Sequence, residues 1–387
     1  MIRKPIPYGR QSINEDDIKG VIETLKSDYL TQGPKIKEFE DKFAQYVKAK
    51  YAVAVNNATS ALHLATTALG VKPGDKVIVT PMTFAASANC VRYCGGDVTF
   101  CDINSDTYLM DINKLRGILE ASPKGTYKGV IVVDFAGYPH DLEEFRSLCD
   151  EYGLWLIEDA CHAPGGWFTD SEGNRQKCGN GRFADISIFS FHPVKHIATG
   201  EGGMATTNNP DLYRKLCHYR THGITKDPSL LHQNDGGWYY EMQDLGFNYR
   251  LTDFQAALGV SQLERADKGL ERRQEIARKY DAAFSGIKNI KTPFRADDVY
   301  HAFHLYIIQV PDRKGLYDFL HENGIYAQVH YVPLHLMPYY RQFGNKPGDL
   351  PVVEDYYNHC LSLPMFPTLT DEEQDYVIAK VLEYISI

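Results

Sequence analysis

Short β-branched runs alternate with helical patterns from the start of the chain to about Arg250, and this alternation constrains the fold more than any other feature. "YAVAVN" precedes the Ala/Leu-rich "SALHLATTALG", and "KVIVTP" precedes "FAASANCVRYCG". "DVTFCDI", "KGVIVVDFAG", "DLEEFRSLCDEYG" and "LWLIEDA" continue the series. Strands separated by helices of this length imply right-handed βαβ units, hence a mostly parallel sheet covered on both faces. After Arg250 the texture changes to a long amphipathic stretch, "TDFQAALGVSQLERADKGLERRQEIARKYDAAFSG", which reads as a helix or a helix pair leading out of the first domain. From about Ile290, strands such as "HAFHLYIIQV" mix with helices such as "RKGLYDFLHENG". The expected architecture is α/β: a large domain over residues 1–265 with an N-terminal arm, and a smaller α+β domain over 266–387.

Composition narrows the function classes. The 387 residues carry 41 basic and 50 acidic side chains, a formal charge of −9. No basic cluster offers a phosphate-backbone surface, so nucleic acid is not an expected partner. The N-terminal stretch Met-Ile-Arg-Lys-Pro-Ile-Pro-Tyr has no apolar leader core, and no apolar run is long enough to span a bilayer. A cytoplasmic protein is expected. Eight cysteines without a CxxC pair read as reduced, mostly buried thiols rather than a metal or redox motif.

In parallel sheets, ligands gather at the carboxyl ends of strands, and three strands here end in reactive groups. "VAVNNATSALHLA" closes a strand and opens a helix with Asn56, Asn57, Thr59 and Ser60, a fair phosphate cradle. An ordinary N-cap followed by a core helix would look the same. "LWLIEDACHAPGG" ends an apolar strand with Glu158 and Asp159, followed by His162. An acid there needs a cation or donors to offset desolvation, so a cofactor partner, a structural pair and a metal site all remain open. Lys195, in "FSFHPVKHIATGEGG", follows a third strand pattern at the point where a glycine-rich loop begins. A desolvated lysine favours its neutral amine, which can add to a carbonyl. A carboxylate, a lysine and a phosphate cradle at strand ends together match the needs of pyridoxal phosphate.

The segments "PYGRQSI", "LTQGP", "AVNNATSALHLA", "TPMTFAASAN", "EDACHAPGG", "FSFHPVKHIATGEGGM", "RTHGI", "LGFNYRLTDFQAALGVSQL" and "VHYVPLHLMPYY" span nearly the whole chain. On these segments it resembles the DegT/DnrJ/EryC1/StrS family of sugar aminotransferases, fold type I enzymes that use pyridoxal 5'-phosphate. The resemblance implies that Lys195 is the Schiff-base lysine, Asp159 the partner of the pyridine nitrogen and His162 the contact to the ring hydroxyl. By the same resemblance Phe84 stacks on the ring and Thr59, Ser60 and Ser190 bind the phosphate. Asn248 matches the phosphate ligand that the family supplies across a homodimer with shared active sites. Thr31, Gln32, His330 and Tyr331 match segments that face the sugar nucleotide.

The implied activity is transfer of the amino group of L-glutamate to C4 of a UDP-linked 4-keto-6-deoxy-N-acetylhexosamine, as in pseudaminic acid biosynthesis. The alternatives are another nucleotide 4-keto-6-deoxy sugar, of perosamine or bacillosamine type, or a non-catalytic regulatory relative. A related 3-dehydratase branch has histidine at the lysine position, against which Lys195 argues. Two features depart from the family pattern: the polar stretch from Thr169 to Lys177, and Met337 where relatives often have glutamine.

Overall fold

A computed structural model describes residues 5–386. Residues 1–4, part of the N-terminal stretch read above as lacking a leader, and residue 387 lie outside the described residues. The alternating segments form seven strands of one sheet: β1 (Tyr51–Val55), β2 (Lys76–Val79), β3 (Asp97–Phe100), β4 (Tyr127–Val133), β5 (Trp155–Asp159), β6 (Ile186–Ser190) and β7 (Gly203–Thr207). Their spatial order is β1-β7-β6-β5-β4-β2-β3. Only β7 runs antiparallel to its neighbours, so the sheet is mostly parallel, as the βαβ pattern requires.

Both faces are covered because alternate residues of the central strands are apolar in both directions. Ile131, Ile157, Ile186 and Ile188 share a cluster with Leu62 and Ala65 of the helix Ala58–Ala68. Val130, Val132 and Leu156 meet Phe145 and Leu148 of the helix Leu142–Tyr152 on the opposite side. Parallel pairing sets Val133 beside Asp159, and Asp159 beside Ile188. This register brings the carboxyl ends of β4, β5 and β6 to one edge, where the site lies.

The long amphipathic stretch is a helix pair, Asp253–Glu264 and Ala266–Phe284, broken at Arg265. Arg265 is tied to buried Asp17 at 2.8 Å and 2.5 Å, which pins the helix Glu15–Leu25 against the first of the pair. Leu270 packs into a core with Phe39, Phe189 and Phe191, whereas Ile276, Tyr280 and Phe284 belong to a second core. That second core is built on an antiparallel pair, Tyr306–Gln309 with Cys360–Leu363, together with Val377 and Val381 of the C-terminal helix. The N-terminal arm joins it: Ile6–Pro7 pairs in parallel with Ile325–Tyr326. No helix among the described residues is long and apolar enough to cross a membrane.

Close packing of β4 on β5 depends on a missing side chain. A Cβ at Gly129 would lie 2.0 Å from the Trp155 ring, so only glycine lets the indole cross its neighbouring strand. Gly129→Ala should therefore destabilise the fold by about 1–3 kcal/mol, the usual range for overpacking. Urea unfolding should show a lower midpoint with an unchanged slope; an unchanged midpoint would mean that the indole has room to move.

Candidate active site

The carboxyl edge opens into a cavity of about 770 Å³, lined by Thr59, Ser60, Phe84, Asp159, His162, Ser190, Lys195, His330 and Tyr331. Nine of the residues singled out in the sequence thus meet in one place. Thr31, Gln32 and Asn248 do not line it. All three are exposed; Thr31 bridges to Thr252 and Asn248 to Thr221. Gln32 lines a separate hollow with Arg220 and Arg250.

Each group is placed by local structure. Asp159 ends β5, where Ser87 Oγ donates to its Oδ2 at 2.6 Å and the Cys161 amide donates to its Oδ1 at 3.2 Å. Thr83 and Ser87 hydroxyls meet at 2.7 Å; because Ser87 already donates to the acid, Thr83 donates to Ser87. This relay keeps the carboxylate fixed and acceptor-only. Lys195 sits in the loop after β6, in a turn closed by its amide and the His192 carbonyl at 2.8 Å. Burial pushes its amine down to about 8, against opposing attraction from Cys161 and Asp159, with further repulsion from Arg273. At neutral pH an appreciable fraction of the amine is already unprotonated.

The helix Ala58–Ala68 begins at the cavity. Asn57 Oδ1 caps the Ser60 amide at 2.8 Å, leaving the first-turn N–H groups of Ala58 and Thr59 with no acceptor inside the helix. Both residues line the cavity. Gly203 permits the approach of β7, since a Cβ there would lie 2.5 Å from the Asn57 carbonyl carbon. N-cap and cradle are thus one structure. Phe84 stands at the mouth, 62% exposed, an uncovered aromatic face opposite the strand ends.

His162 accepts the Ala136 amide on Nδ1 at 3.2 Å, so its proton lies on Nε2, 3.4 Å from Tyr331 Oη. Burial and the nearby Lys195 charge hold this imidazole neutral, well below its ordinary range. His330 is fixed by Ser362 Oγ at 2.8 Å. A cyclic phosphorylated aldehyde fits this donor set: N–H and hydroxyl donors at one end, a carboxylate and an imidazole N–H along the ring edge, a poised amine, and an aromatic lid.

Several residues of the site carried no sequence signal strong enough to single them out. Ser87 lies inside the quoted "TFAASAN" but has no motif of its own, and His304, Tyr8, Tyr249 and Glu201 enter the cavity from distant segments. Behind Asp159 lies a buried group, Asp134, Glu158 and Cys178, compact enough to enclose a cation. One oxygen of each carboxyl is engaged within the protein. Glu158 takes the Gly179 amide at 2.9 Å and Ser187 Oγ at 2.5 Å, and Asp134 takes the His140 amide and Nδ1, each at 3.0 Å. Asp134 Oδ2 and Glu158 Oε1 have no hydrogen-bond partner among the described residues, and burial raises both carboxyls, which favours a proton on one of the pair. The two departures from the family pattern lie off the cavity lining. Residues 167–177 form a hairpin whose tip, Ser171, is tied to Glu143, and Met337 packs on the large apolar cluster beneath the sheet.

The chain matches the sequence model of the DegT/DnrJ/EryC1/StrS aminotransferase family over residues 11–382. It is similar to the spore coat polysaccharide biosynthesis protein SpsC of Bacillus subtilis, with 39% identity over 388 residues that cover 98% of this chain and 97% of SpsC. A UDP-4-amino-4,6-dideoxy-N-acetyl-beta-L-altrosamine transaminase of Campylobacter jejuni is 38% identical over 379 residues, covering 96% of this chain and 95% of the relative. Among solved structures, Helicobacter pylori PseC, an aminotransferase involved in the biosynthesis of pseudoaminic acid, superposes with a TM-score of 0.89. It is 30% identical and covers 99% of this chain and 100% of its own.

The desolvated amine gives a direct test of the geometry. In cofactor-free protein, acetic anhydride should acetylate Lys195 with a half-maximal rate near pH 8, because the neutral amine is the nucleophile and burial disfavours the ammonium. Peptide mass spectrometry across pH reads this residue separately from surface lysines. A profile rising only near 10.5 would place the amine in bulk-like solvent.

Proposed function

The chain belongs to the DegT/DnrJ/EryC1/StrS family of pyridoxal phosphate-dependent sugar aminotransferases, and we propose that it transfers the amino group of L-glutamate to C4 of a UDP-linked 4-keto-6-deoxy-N-acetylhexosamine. When bound, pyridoxal phosphate supplies the aldehyde that takes up the amino group and a ring that accepts electrons as a C–H bond is cleaved. The observation that carries the reading is the pairing of Asp159 and Lys195 at adjacent strand ends of one cavity. Asp159 accepts one donor on each oxygen, from Ser87 and Cys161, and retains acceptor capacity for a ring N–H. Lys195 would hold the cofactor through its Nζ, and its unprotonated amine would be the group at the strand ends able to accept and return a proton. His162 Nε2–H is aimed along the ring edge, and Thr59, Ser60 and Ser190 supply hydroxyls for the phosphate.

The sugar assignment is supported by the name of the Campylobacter relative and the pathway of the Helicobacter structure. It also accords with a cavity larger than the cofactor alone needs, with His330 and Tyr331 on the wall beyond the ring. A homodimer with shared sites, located in the cytoplasm, completes the reading. Thr31, Gln32 and Asn248 are exposed and outside the cavity of their own chain, as groups that serve a second copy must be.

Purified protein should aminate UDP-linked 4-keto-6-deoxy-N-acetyl sugars with glutamate in preference to GDP- or dTDP-linked analogues; preference for a GDP sugar would overturn the substrate reading alone. Lys195→Ala should abolish turnover, and Asp159→Asn should lower it by orders of magnitude while its melting temperature stays near wild type. If Lys195→Ala and Asn248→Ala are each inactive, random re-pairing of equal amounts should restore roughly a quarter of wild-type sites. Mixed dimers without recovered activity would show that Asn248 serves its own chain.

A further inference from the structure

Beneath Lys195 lies a layer of imidazoles that the reaction outlined above does not use. His304 Nε2 is 3.5 Å from Lys195 Nζ, and its ring packs at a tilt against His162, with centroids 4.3 Å apart, and against His196 at 5.8 Å. His304 is buried and lines the cavity. Its Nδ1 is enclosed without a hydrogen-bond partner among the described residues.

The orphan nitrogen identifies the tautomer. A neutral imidazole carries one proton, and an enclosed N–H without an acceptor is rarer and costlier than an enclosed lone pair. The proton of His304 therefore lies on Nε2, facing Lys195. A second proton is excluded by burial and by the charges of Lys195 and Arg273, which hold this ring well below its ordinary range. His196 shows the same pattern, with Nε2 donating to the Ala302 carbonyl at 2.9 Å and Nδ1 unpartnered.

The backbone of His304 is held independently. Arg273, fully buried in the helix Ala266–Phe284, donates to the carbonyls of Phe303 at 3.0 Å, His304 at 3.2 Å and Met365 at 3.0 Å. No carboxylate pairs with this guanidinium among the described residues. It clamps the turn that presents His304 and adds a positive charge behind Lys195.

We propose that His304 is a positioning residue for Lys195: its Nε2–H donates to the lone pair of Nζ whenever that amine is free, keeping it unprotonated and aimed into the cavity. No proton changes hands in this contact; it selects the amine form that can accept one. The inference rests on the proposed role of Lys195, but its test does not require turnover. The charged and titratable groups facing Nζ are Asp159 and Cys161 from the strand β5 segment, His162 and His330 on the cavity wall, His196 and His304 below, and Arg273 behind. Only His304 is within hydrogen-bonding reach of Nζ among the described residues.

The test is the pH profile of Lys195 acetylation by acetic anhydride in the cofactor-free chain. Replacing the donor by an apolar group of similar bulk, His304→Leu, should move the half-maximal pH upward by about one unit, the worth of one hydrogen bond. The direction is diagnostic. A residue that merely filled space would, when replaced by leucine, leave the profile in place or lower it through stronger desolvation of the ammonium. His304→Gln carries an amide N–H at the position of Nε2 and should keep the midpoint within a few tenths of a unit of wild type. His304→Asn, too short to reach Nζ, should shift it as leucine does, and stands in should the leucine variant fail to fold. An unshifted or lowered midpoint in folded His304→Leu or His304→Asn, or a glutamine variant that shifts as far as leucine, overturns the proposal. A failed carbohydrate assay with an intact upward shift would instead count against the sugar assignment alone.

Discussion

Three carboxyl groups, Asp134, Glu158 and Asp159, leave the sheet at one buried edge, and most of the site is organised by the need to keep only part of that charge. Ionising all three side by side in a region closed to water would be prohibitive. Burial raises both Asp134 and Glu158, which favours a proton on one of them, while His140 donates to one oxygen of Asp134 and Gly179 and Ser187 to one oxygen of Glu158. Asp159 is thereby left as the member whose charge points into the cavity. Its neighbours supply N–H and O–H donors, and no cation among the described residues lies at salt-bridge distance. Such a carboxylate is suited to a ligand that brings its own N–H.

The lysine side follows the opposite logic. Lys195 faces Asp159 and Cys161, which favour the ammonium, but it is enclosed by neutral imidazoles and backed by Arg273, which do not. Burial wins, and the amine comes down to about 8. Imidazole suits this layer because, when neutral, it offers an N–H and a flat packing surface without a charge to solvate. A second lysine or a carboxylate in place of His304 would shift the balance by far more. The N-cap of the helix Ala58–Ala68 adds the third electrostatic element, uncommitted amides at a positive helix end, where a dianion is stabilised.

What could be read in the sequence follows the reach of local rules. Strand alternation gave away the sheet, and the ends of strands gave away Asp159 and Lys195, because parallel pairing places strand ends together whatever the order of strands. The helix pair after Arg250 was visible as periodicity, although the break at Arg265 was not, since it depends on a contact to Asp17 far away in the chain. His304 and Arg273 were illegible for the same reason: "HAFH" and "LERRQEIA" have no periodicity that marks one histidine or one arginine as buried beneath a lysine. Ser87 sat within a quoted segment, yet its role appears only when β4, β5 and the helix Ala86–Tyr93 are assembled. The Asn57 to Ser60 turn was left between cap and cradle; the structure shows the cap, with the Ala58 and Thr59 amides lacking an acceptor inside the helix.

The segment Phe247–Arg250 turns one side chain into the cavity and its neighbour outward. Tyr249 lines the cavity of its own chain, where His63 Nδ1 meets its hydroxyl at 3.0 Å, and its carbonyl accepts the Asn56 amide at 2.9 Å. Asn248 is bridged to Thr221 in extended pairing, and consecutive side chains of extended backbone point to opposite faces. With Tyr249 committed inward, Asn248 is directed outward, and it is exposed. Nearby exposed apolar side chains run along the same flank of the sequence, Trp238 at 75% and Leu245 at 80%, a density that a lone chain in water gains nothing by presenting. An outward asparagine beside uncovered apolar side chains is what a shared site in a twofold assembly requires, because symmetry makes whatever one chain offers its partner return in kind. The inward tyrosine anchors the segment to Asn56 and His63 of its own chain, while the asparagine beside it faces outward.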